Sequence, residues 1–336
     1  MRYIGVDLHT TQMTVCYLTD QAQRVESWKL SEMARFCEQL SDEDEIAVEA
    51  TGNTRWFCER VKDLVRRVWV VNPREFQVIR QSVKKTDERD AESLARFLRA
   101  GLLPEARLKS ELAERVQSLQ QTRERLVGTR TSLLNKVHAL LVAAGRKAKK
   151  ESLASVLGRE RILALEWSAS ERVELEVIFA QIESLSGGIK RLESQLAVEG
   201  SKLAGFANLV SIKGIGEKSA ALLLAVIGTV EDFPDADKLA SYFGIVPRVS
   251  NSAETVNHGR ITKRGSRLGR TTLVQCTLVA IRYSPYLKSY YERLKARRGS
   301  GKAVIATARK FLGIIYSTLK NNWVFADFPN FVLAES

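Results

Sequence analysis

Four carboxylates in the first ninety residues stand where acids are unfavourable unless they do chemistry. Asp7 lies inside the apolar run YIGVDL, and Glu49 inside IAVEATG. An ionised acid within a strand that otherwise reads as core is destabilising unless a cation or another partner offsets it. Two such acids on separate strands suggest one shared site. Asp87 and Asp90, in KKTDERDAESLARFL, are three residues apart, which on a helix puts both on one face. Together Asp7, Glu49, Asp87 and Asp90 form an oxygen-rich set suited to one or two magnesium ions, or manganese in their place. Magnesium takes few carboxylates and completes its shell with waters and phosphate oxygens. Two ions roughly 4 Å apart stabilise both the attacking and the leaving oxygen of an in-line phosphoryl displacement. Each acid alone has a plainer reading: Asp87 as a helix N-cap, Asp90 as a first-turn acid favoured by the helix dipole. The set of four, in this order, is what points to phosphodiester chemistry.

A second group of candidates lies in the C-terminal half. KGIGEKSA resembles the turn of a helix-hairpin-helix motif, with Lys213 and Lys218 flanking Gly214 and Gly216. The glycines let the backbone approach closely, and amides at the next helix N-terminus can receive a phosphate. A plain helix–helix turn is the competing reading. Further on, VPRVSNSAETVNHGRITKRGSRLGR collects Arg248, Arg260, Lys263, Arg264, Arg267 and Arg270 around several serines. A flexible basic loop over 248–269 would be a phosphate-binding or catalytic surface. A serine among arginines can attack a phosphodiester, because cations stabilise its alkoxide and the charge developing on phosphorus. Residue types alone do not rank Ser250, Ser252 and Ser266.

Charge separates the two halves. Residues 1–105 hold 16 Lys and Arg against 18 Asp and Glu, whereas the remainder holds 36 against 21. Residues 248–310 alone carry 15 basic and 2 acidic side chains. Surfaces this one-sided attract polyanions and bind them with strong salt dependence. No apolar run is long enough to span a membrane, and MRYIGVDL lacks a basic-then-apolar leader. Cys16, Cys37, Cys58 and Cys276 have no CxxC spacing, which fits reduced thiols in a cytoplasmic protein.

The elements that must position these groups follow from periodicity. RYIGVDL and MTVCYLTD read as strands around the turn HTTQ, followed by a helix over Ser31–Leu40. IAVEATGN reads as a buried strand, Thr54–Arg66 as a helix, Val68–Asn72 as a strand and Asp87–Leu98 as a helix. This is an α/β domain of about a hundred residues. Leu112, Leu119, Leu126, Leu133 and Leu140 then recur every seven residues, with Arg123 and Arg130 weakening the seam. Ile178, Ile182, Leu185, Ile189, Leu192 and Leu196 make a second seam beyond a basic break at Arg146–Lys150. The two can pair with each other as an antiparallel hairpin or with another protomer. Residues 206–245 read as compact and helical, followed by the basic loop, a helix over Thr271–Ile281, a basic amphipathic stretch and a last helix over Ala303–Lys320. Three regions are expected: a catalytic domain over 1–105, a helical coiled-coil linker over 106–200, and a mainly α-helical nucleic-acid-binding and serine domain over 201–336.

With these motifs in order, the chain resembles the transposases of insertion-sequence family 110, relatives of the Piv-type site-specific invertases. The likeness runs nearly end to end, through YIGVDLHTTQMTVCYL, VEATGN, VVNP, KTDERDAESLA, IKGIGEKSAALLLAVIG, FGIVPR and GRITKRG. VEATGN and K-T-D-x-x-D-A at this spacing are specific. The resemblance implies a ribonuclease-H-like (RuvC-like) N-terminal domain whose D-E-D-D acids match Asp7, Glu49, Asp87 and Asp90. It implies a C-terminal transposase domain whose essential serine follows a G-[LI]-x-P-R segment. Aligned on Pro247, that serine is Ser252; the family often has glycine next, where this chain has Ala253. It also implies double-stranded DNA as substrate and a homo-oligomer, dimer or tetramer. A structured guide RNA, and an active site pairing the acids of one protomer with the serine of another, are further implications.

The competing readings explain less. A RuvC-like Holliday-junction resolvase or nuclease using water as nucleophile accounts for the acids but leaves GIVPR and GRITKRG idle. An actin-like kinase needs a second Asp-Gly phosphate loop, which GIGEKSA lacks. A DEDD exonuclease normally shows D-x-E on the first strand, where this chain has Asp7-Leu8-His9. A non-enzymatic DNA or RNA binder explains the basic half but not the acids.

Overall fold

A computed structural model describes residues 1–73, 75–76, 86–146, 153, 155–252 and 255–334, and for 249–258 the backbone alone. Two units emerge, Met1–Leu108 and Lys109–Ser336. The first is built on strands β1 (Tyr3–Leu8), β2 (Gln12–Leu18), β3 (Gln23–Lys29), β4 (Glu45–Glu49) and β5 (Arg67–Val71). They form one sheet in the order β3-β2-β1-β4-β5. β1–β2 and β2–β3 are antiparallel, while β1–β4 and β4–β5 are parallel. Among the described residues, the helices α1 (Met33–Cys37), α2 (Thr54–Val61) and α3 (Asp87–Arg99) accompany them. β3 was not foreseen, because QRVESWK buries only Trp28 and shows no apolar alternation. The helix expected to reach Arg66 ends at Val61; the Arg66 amide instead bonds the Asp44 carbonyl, and β5 begins at Arg67. Lys84 and Lys85 of KKTDERD lie outside the described residues.

The second unit is mainly helical. It comprises α4 (Glu111–Ala143), α5 (Val156–Leu163), α6 (Ala169–Gly200), α7 (Phe206–Val210), α8 (Glu217–Ile227) and α9 (Ala236–Phe243). The hairpin β6 (Pro247–Ser252) and β7 (Thr255–Ile261) follows, then α10 (Arg267–Tyr283), α11 (Pro285–Arg298), α12 (Ser300–Lys320) and the short pair β8 (Phe325–Asp327) and β9 (Val332–Leu333). α4 and α6 run antiparallel. Arg123 meets Glu193 at 2.7 Å, Arg130 donates to Ser186 at 3.4 Å, and Lys136 meets Glu174 at 3.0 Å. The two arginines expected to weaken the seam are therefore partners across it. The leucine repeat itself stays half-buried, and the buried positions of α4 are Ala113, Val116, Gln120, Val137 and Leu141. α8 is buried at every position from Ala220 to Ile227, as a helix apolar on all sides requires. The segment expected as a flexible basic loop is instead largely an antiparallel hairpin, with Ser250 opposite Asn257 and Ser252 opposite Thr255. Its strands are held by backbone pairing, and their polar side chains hide it from a hydrophobic pattern. Among the described residues, no helix is long and apolar enough to cross a membrane.

In the first unit, the two faces of the sheet are covered differently. Ile4, Val6, Met13, Val15, Ile46 and Val48 pack against Phe36, Phe57 and Val61 of α1 and α2 and their flanks. On the other face, Ala91, Leu94, Ala95 and Leu98 of α3 cover Tyr3, Cys16, Leu18, Ala47 and Val71. Gly5 is the point of closest approach. A Cβ there would stand 2.0 Å from the Ala91 carbonyl oxygen and 2.6 Å from the Ala95 amide nitrogen. Glycine in a strand interior often marks such an approach of another backbone. Because the neighbours are backbone atoms, Gly5→Ala must push α3 off the sheet. Overpacking of this kind destabilises by about 1–3 kcal/mol. The variant should melt below the parent in scanning calorimetry; an unchanged melting temperature would show that α3 is not seated this tightly.

Candidate metal centre and nucleic-acid interface

The acids of the first unit converge through the register of two parallel strands. β1 and β4 pair as far as Val6 opposite Val48, and Asp7 and Glu49 are the next residue of each. Both therefore sit at the carboxyl ends of neighbouring strands. By the alternation of the strands they share the face that carries Gly5 and Ala47, the face covered by α3. α3 begins beside them. Its N-cap is Thr86, whose hydroxyl accepts from the Arg89 amide at 3.3 Å, so Asp87 is the first helical residue and not the cap. Asp87, exposed, and Asp90, buried, lie in the first turn, where the helix dipole favours negative charge.

The side chain completing this group was not among the sequence candidates. His9 Nε2 stands 3.2 Å from Asp7 Oδ2 and 3.4 Å from Asp87 Oδ2. One donor atom from each of the three lies within 4.8 Å of the others. The available signal was spacing: Asp7 and His9 are two residues apart at the end of a strand. The VEATGN motif explains how this corner is held. Thr54 Oγ1 donates to the Glu49 carbonyl at 2.7 Å and accepts from the Thr51 amide at 2.8 Å. Asn53 Nδ2 donates to the His9 carbonyl at 2.8 Å, tying the turn after β4 to the end of β1. A cleft of about 540 Å³ opens alongside, lined by Leu8, His9, Thr10, Thr51, Asn53 and Trp56 among others.

Electrostatics mark the corner as one that attracts cations. Burial pushes the Asp7 carboxyl above its ordinary value, His9 opposes this, and the carboxylates of Asp90 and Asp87 add to the rise. The donors also fit a small divalent ion. An octahedral ion with oxygens at 2.0–2.1 Å keeps adjacent ligands about 3 Å apart, close to the spacings around His9.

In the second unit, the basic candidates divide by what they touch. Arg248, Arg260, Lys263, Arg264 and Arg267 are exposed around the hairpin and the turn after it. Arg270 is engaged internally: its Nη1 donates to the carbonyls of Arg264 at 2.8 Å, Gly265 at 3.1 Å and Phe243 at 3.3 Å. Lys218 pairs with Glu193 at 2.9 Å, and Lys213 lies over the Tyr283 ring at 5.4 Å. Gly214, with φ of 115°, makes a close approach to α10, where a Cβ would meet the Ala280 amide nitrogen at 2.8 Å. Gly216 is the N-cap of α8 with open space around it. Gly244 and Gly265 seat the base of the hairpin. A Cβ on either would fall 2.1 Å from a carbonyl oxygen, of Arg264 and Tyr242 respectively. FGIVPR and GRITKRG are thus the two ends of one hairpin. Ser266 caps α10 by accepting from the Gly269 amide at 3.0 Å, which accounts for one of the three serines. The backbones of Ser250 and Ser252 lie on β6; their side chains, and Ala253, lie outside the described residues.

Comparison with known proteins gives this arrangement a family. A DEDD-type IS110 transposase model matches residues 4–145, and a model described as transposase IS116/IS110/IS902 family matches residues 207–292. The chain is 27% identical to a probable family 20 transposase of Pseudomonas aeruginosa, over 82% of this chain and 83% of that protein. It is 25% identical to the transposase for insertion sequence element IS1111A of Coxiella burnetii, over 82% and 77%. A pilin gene-inverting protein of Moraxella lacunata is 32% identical over 34% of this chain and 36% of its own length. The chain belongs to the IS110 family of transposases, and the DEDD-type domain it carries is one that uses divalent metal.

The burial of Asp7 beside other acids sets an expectation for stability. A carboxyl held above its unfolded value contributes stability that is present at acid pH and is lost as pH rises through the folded value. Without metal, Asp7→Asn should therefore melt above the parent at pH 7, and the advantage should vanish near pH 3. Adding magnesium or manganese at pH 7 should raise the parent's melting temperature and leave the variant's unmoved. Calorimetry with and without chelator reads both; a variant less stable than the parent in chelator contradicts an Asp7 carboxylate disfavoured by burial and by its acidic neighbours.

Proposed function

We propose that the chain cleaves and rejoins DNA, with a ribonuclease-H-like (RuvC-like) N-terminal domain holding magnesium or manganese on Asp7, Glu49, Asp87 and Asp90, and with Ser252 as nucleophile. The observation that carries this reading is the convergence of Asp7, Asp87 and Asp90 at one end of the sheet, beside the strand that ends in Glu49. A divalent ion on those acids would supply Lewis-acid stabilisation of phosphate charge. Among the chain's own residues, Ser252 Oγ attacks phosphorus, the bridging P–O bond breaks, and the hydroxyl proton ends on the departing DNA oxygen. The resulting phosphoserine ester conserves the bond energy for rejoining. Arg248 and Arg260 stabilise the charge on the pentavalent phosphorus.

The remaining roles follow the same division. Residues 106–200 serve as the helical linker, and residues 201–336 as the transposase domain that binds DNA. Lys213, Lys218, Lys263, Arg264 and Arg267 make phosphate contacts, with Gly214 and Gly216 shaping one turn, and Arg270 holds the basic turn in shape. The active form is a homo-oligomer, dimer or tetramer, in which the acids of one protomer work with the serine of another. A structured RNA selects the DNA partners; both of these points rest on the family resemblance.

Ser252→Ala should retain DNA binding but lose the covalent protein–DNA adduct and strand exchange, while Ser250→Ala should retain both. Denaturing gels followed by peptide mapping make the test. An adduct on Ser250 or Ser266 moves the nucleophile. Cleavage with no adduct while every serine is intact replaces this reading with a hydrolytic, junction-resolving nuclease.

A further inference from the structure

We propose that His9 is a ligand of the divalent ion and tilts the site from magnesium toward first-row transition ions. This rests on the metal reading above and adds a nitrogen donor to a set of acids.

Position is the first argument. His9 immediately follows β1 and stands two residues beyond Asp7, so both side chains leave the strand end on the same side. Nε2 lies between two carboxylate oxygens, at 3.2 Å from Asp7 and 3.4 Å from Asp87. Rigidity is the second. The His9 amide donates to the Gln12 carbonyl at 2.9 Å, and the His9 carbonyl accepts from Asn53 at 2.8 Å. Both backbone groups of the residue are held, so the imidazole is presented by a fixed turn. Access is the third. The His9 side chain is 47% exposed, which leaves room for an ion to arrive with its waters.

Chemistry then decides what the imidazole does. Magnesium is hard and takes oxygen, whereas a neutral imidazole suits the transition ions and gains affinity along the first row. An acids-only set would discriminate weakly between magnesium and manganese. One nitrogen in the set favours the transition ion. Loss of a residue that merely orients a ligand costs roughly 10–100-fold in metal affinity, so loss of a direct ligand should cost at least tenfold for manganese. The cost for magnesium should be smaller.

Manganese is the probe, because its electron spin couples to a directly bound nitrogen. The chain has three histidines, His9, His138 and His258, which makes the assignment tractable. Pulsed electron paramagnetic resonance on the full-length protein with substoichiometric manganese should show nitrogen coupling of a bound imidazole. The coupling should disappear in His9→Gln and persist in His258→Gln and His138→Gln. In competition titrations, His9→Gln should reduce the preference for manganese over magnesium by about tenfold. Circular dichroism should show the variant folded, since His9 holds its place through backbone groups. Tight manganese binding with no nitrogen coupling, or coupling that survives His9→Gln, overturns the assignment of His9 and leaves the acid site standing. No manganese binding by the parent at all overturns the acid site and this inference together.

Discussion

The backbone of α3 can reach the backbone of β1 only because residue 5 has no side chain. Two backbone atoms, the Ala91 carbonyl oxygen and the Ala95 amide nitrogen, occupy the space a Cβ would need. Side chains can adjust when crowded; a helix backbone at this distance cannot without moving the whole helix. Ala91 and Ala95 complete the contact from the other side, being small and fully buried. The depth at which α3 docks sets where its first turn stands relative to the end of β1. Asp87 and Asp90 are in that turn. A packing contact without polar chemistry therefore determines the separation between Asp7 and two of its acidic partners.

Bringing acids together works against folding, and the local structure shows what offsets it. The α3 N-terminus supplies a positive dipole end to Asp87 and Asp90. His9 lies between Asp7 and Asp87. Hydrogen bonds from Asn53, Thr54 and Thr51 fix the adjoining turn, so the side chains cannot relax far apart. Burial, and after it the neighbouring acids, still hold the Asp7 carboxyl above its ordinary value. Crowding of this kind is what a bound cation would relieve. In the second unit the same device appears with different results: Gly244 and Gly265 allow backbone contacts that seat the basic hairpin, and Arg270 is consumed in bonding the turn it adjoins.

Much of this was legible in the residues. Acids at the ends of apolar runs show directly in YIGVDL and IAVEATG, because burial of charge is a local anomaly that needs no tertiary knowledge. Asp87 and Asp90 were legible as a pair through helical spacing. What stayed hidden was tertiary. His9 reads as one residue of a turn until the carboxylates on either side of it are placed. Asn53 reads as a turn former until its reach to the His9 carbonyl is seen. Gly5 carried a signal, a glycine inside a buried strand, but only the position of α3 shows what it makes room for. The hairpin over 247–261 was missed because its strands pair through backbone while their side chains are polar, and β3 was missed for a similar reason. The leucine repeat was visible as periodicity, yet the buried line on α4 runs along neighbouring positions, with Arg123 and Arg130 bonding across to α6.

If docking of α3 on Gly5 assembles a divalent-ion site from residues of the first unit, the ion will be found at the end of β1. Diffraction from crystals soaked in manganese, recorded at the manganese absorption edge, tests it most directly. An anomalous peak is expected at coordination distance from an Asp7 oxygen, with further ligands drawn from Glu49, Asp87 and Asp90. A well-occupied manganese ion elsewhere, with this corner free of anomalous density, would contradict it.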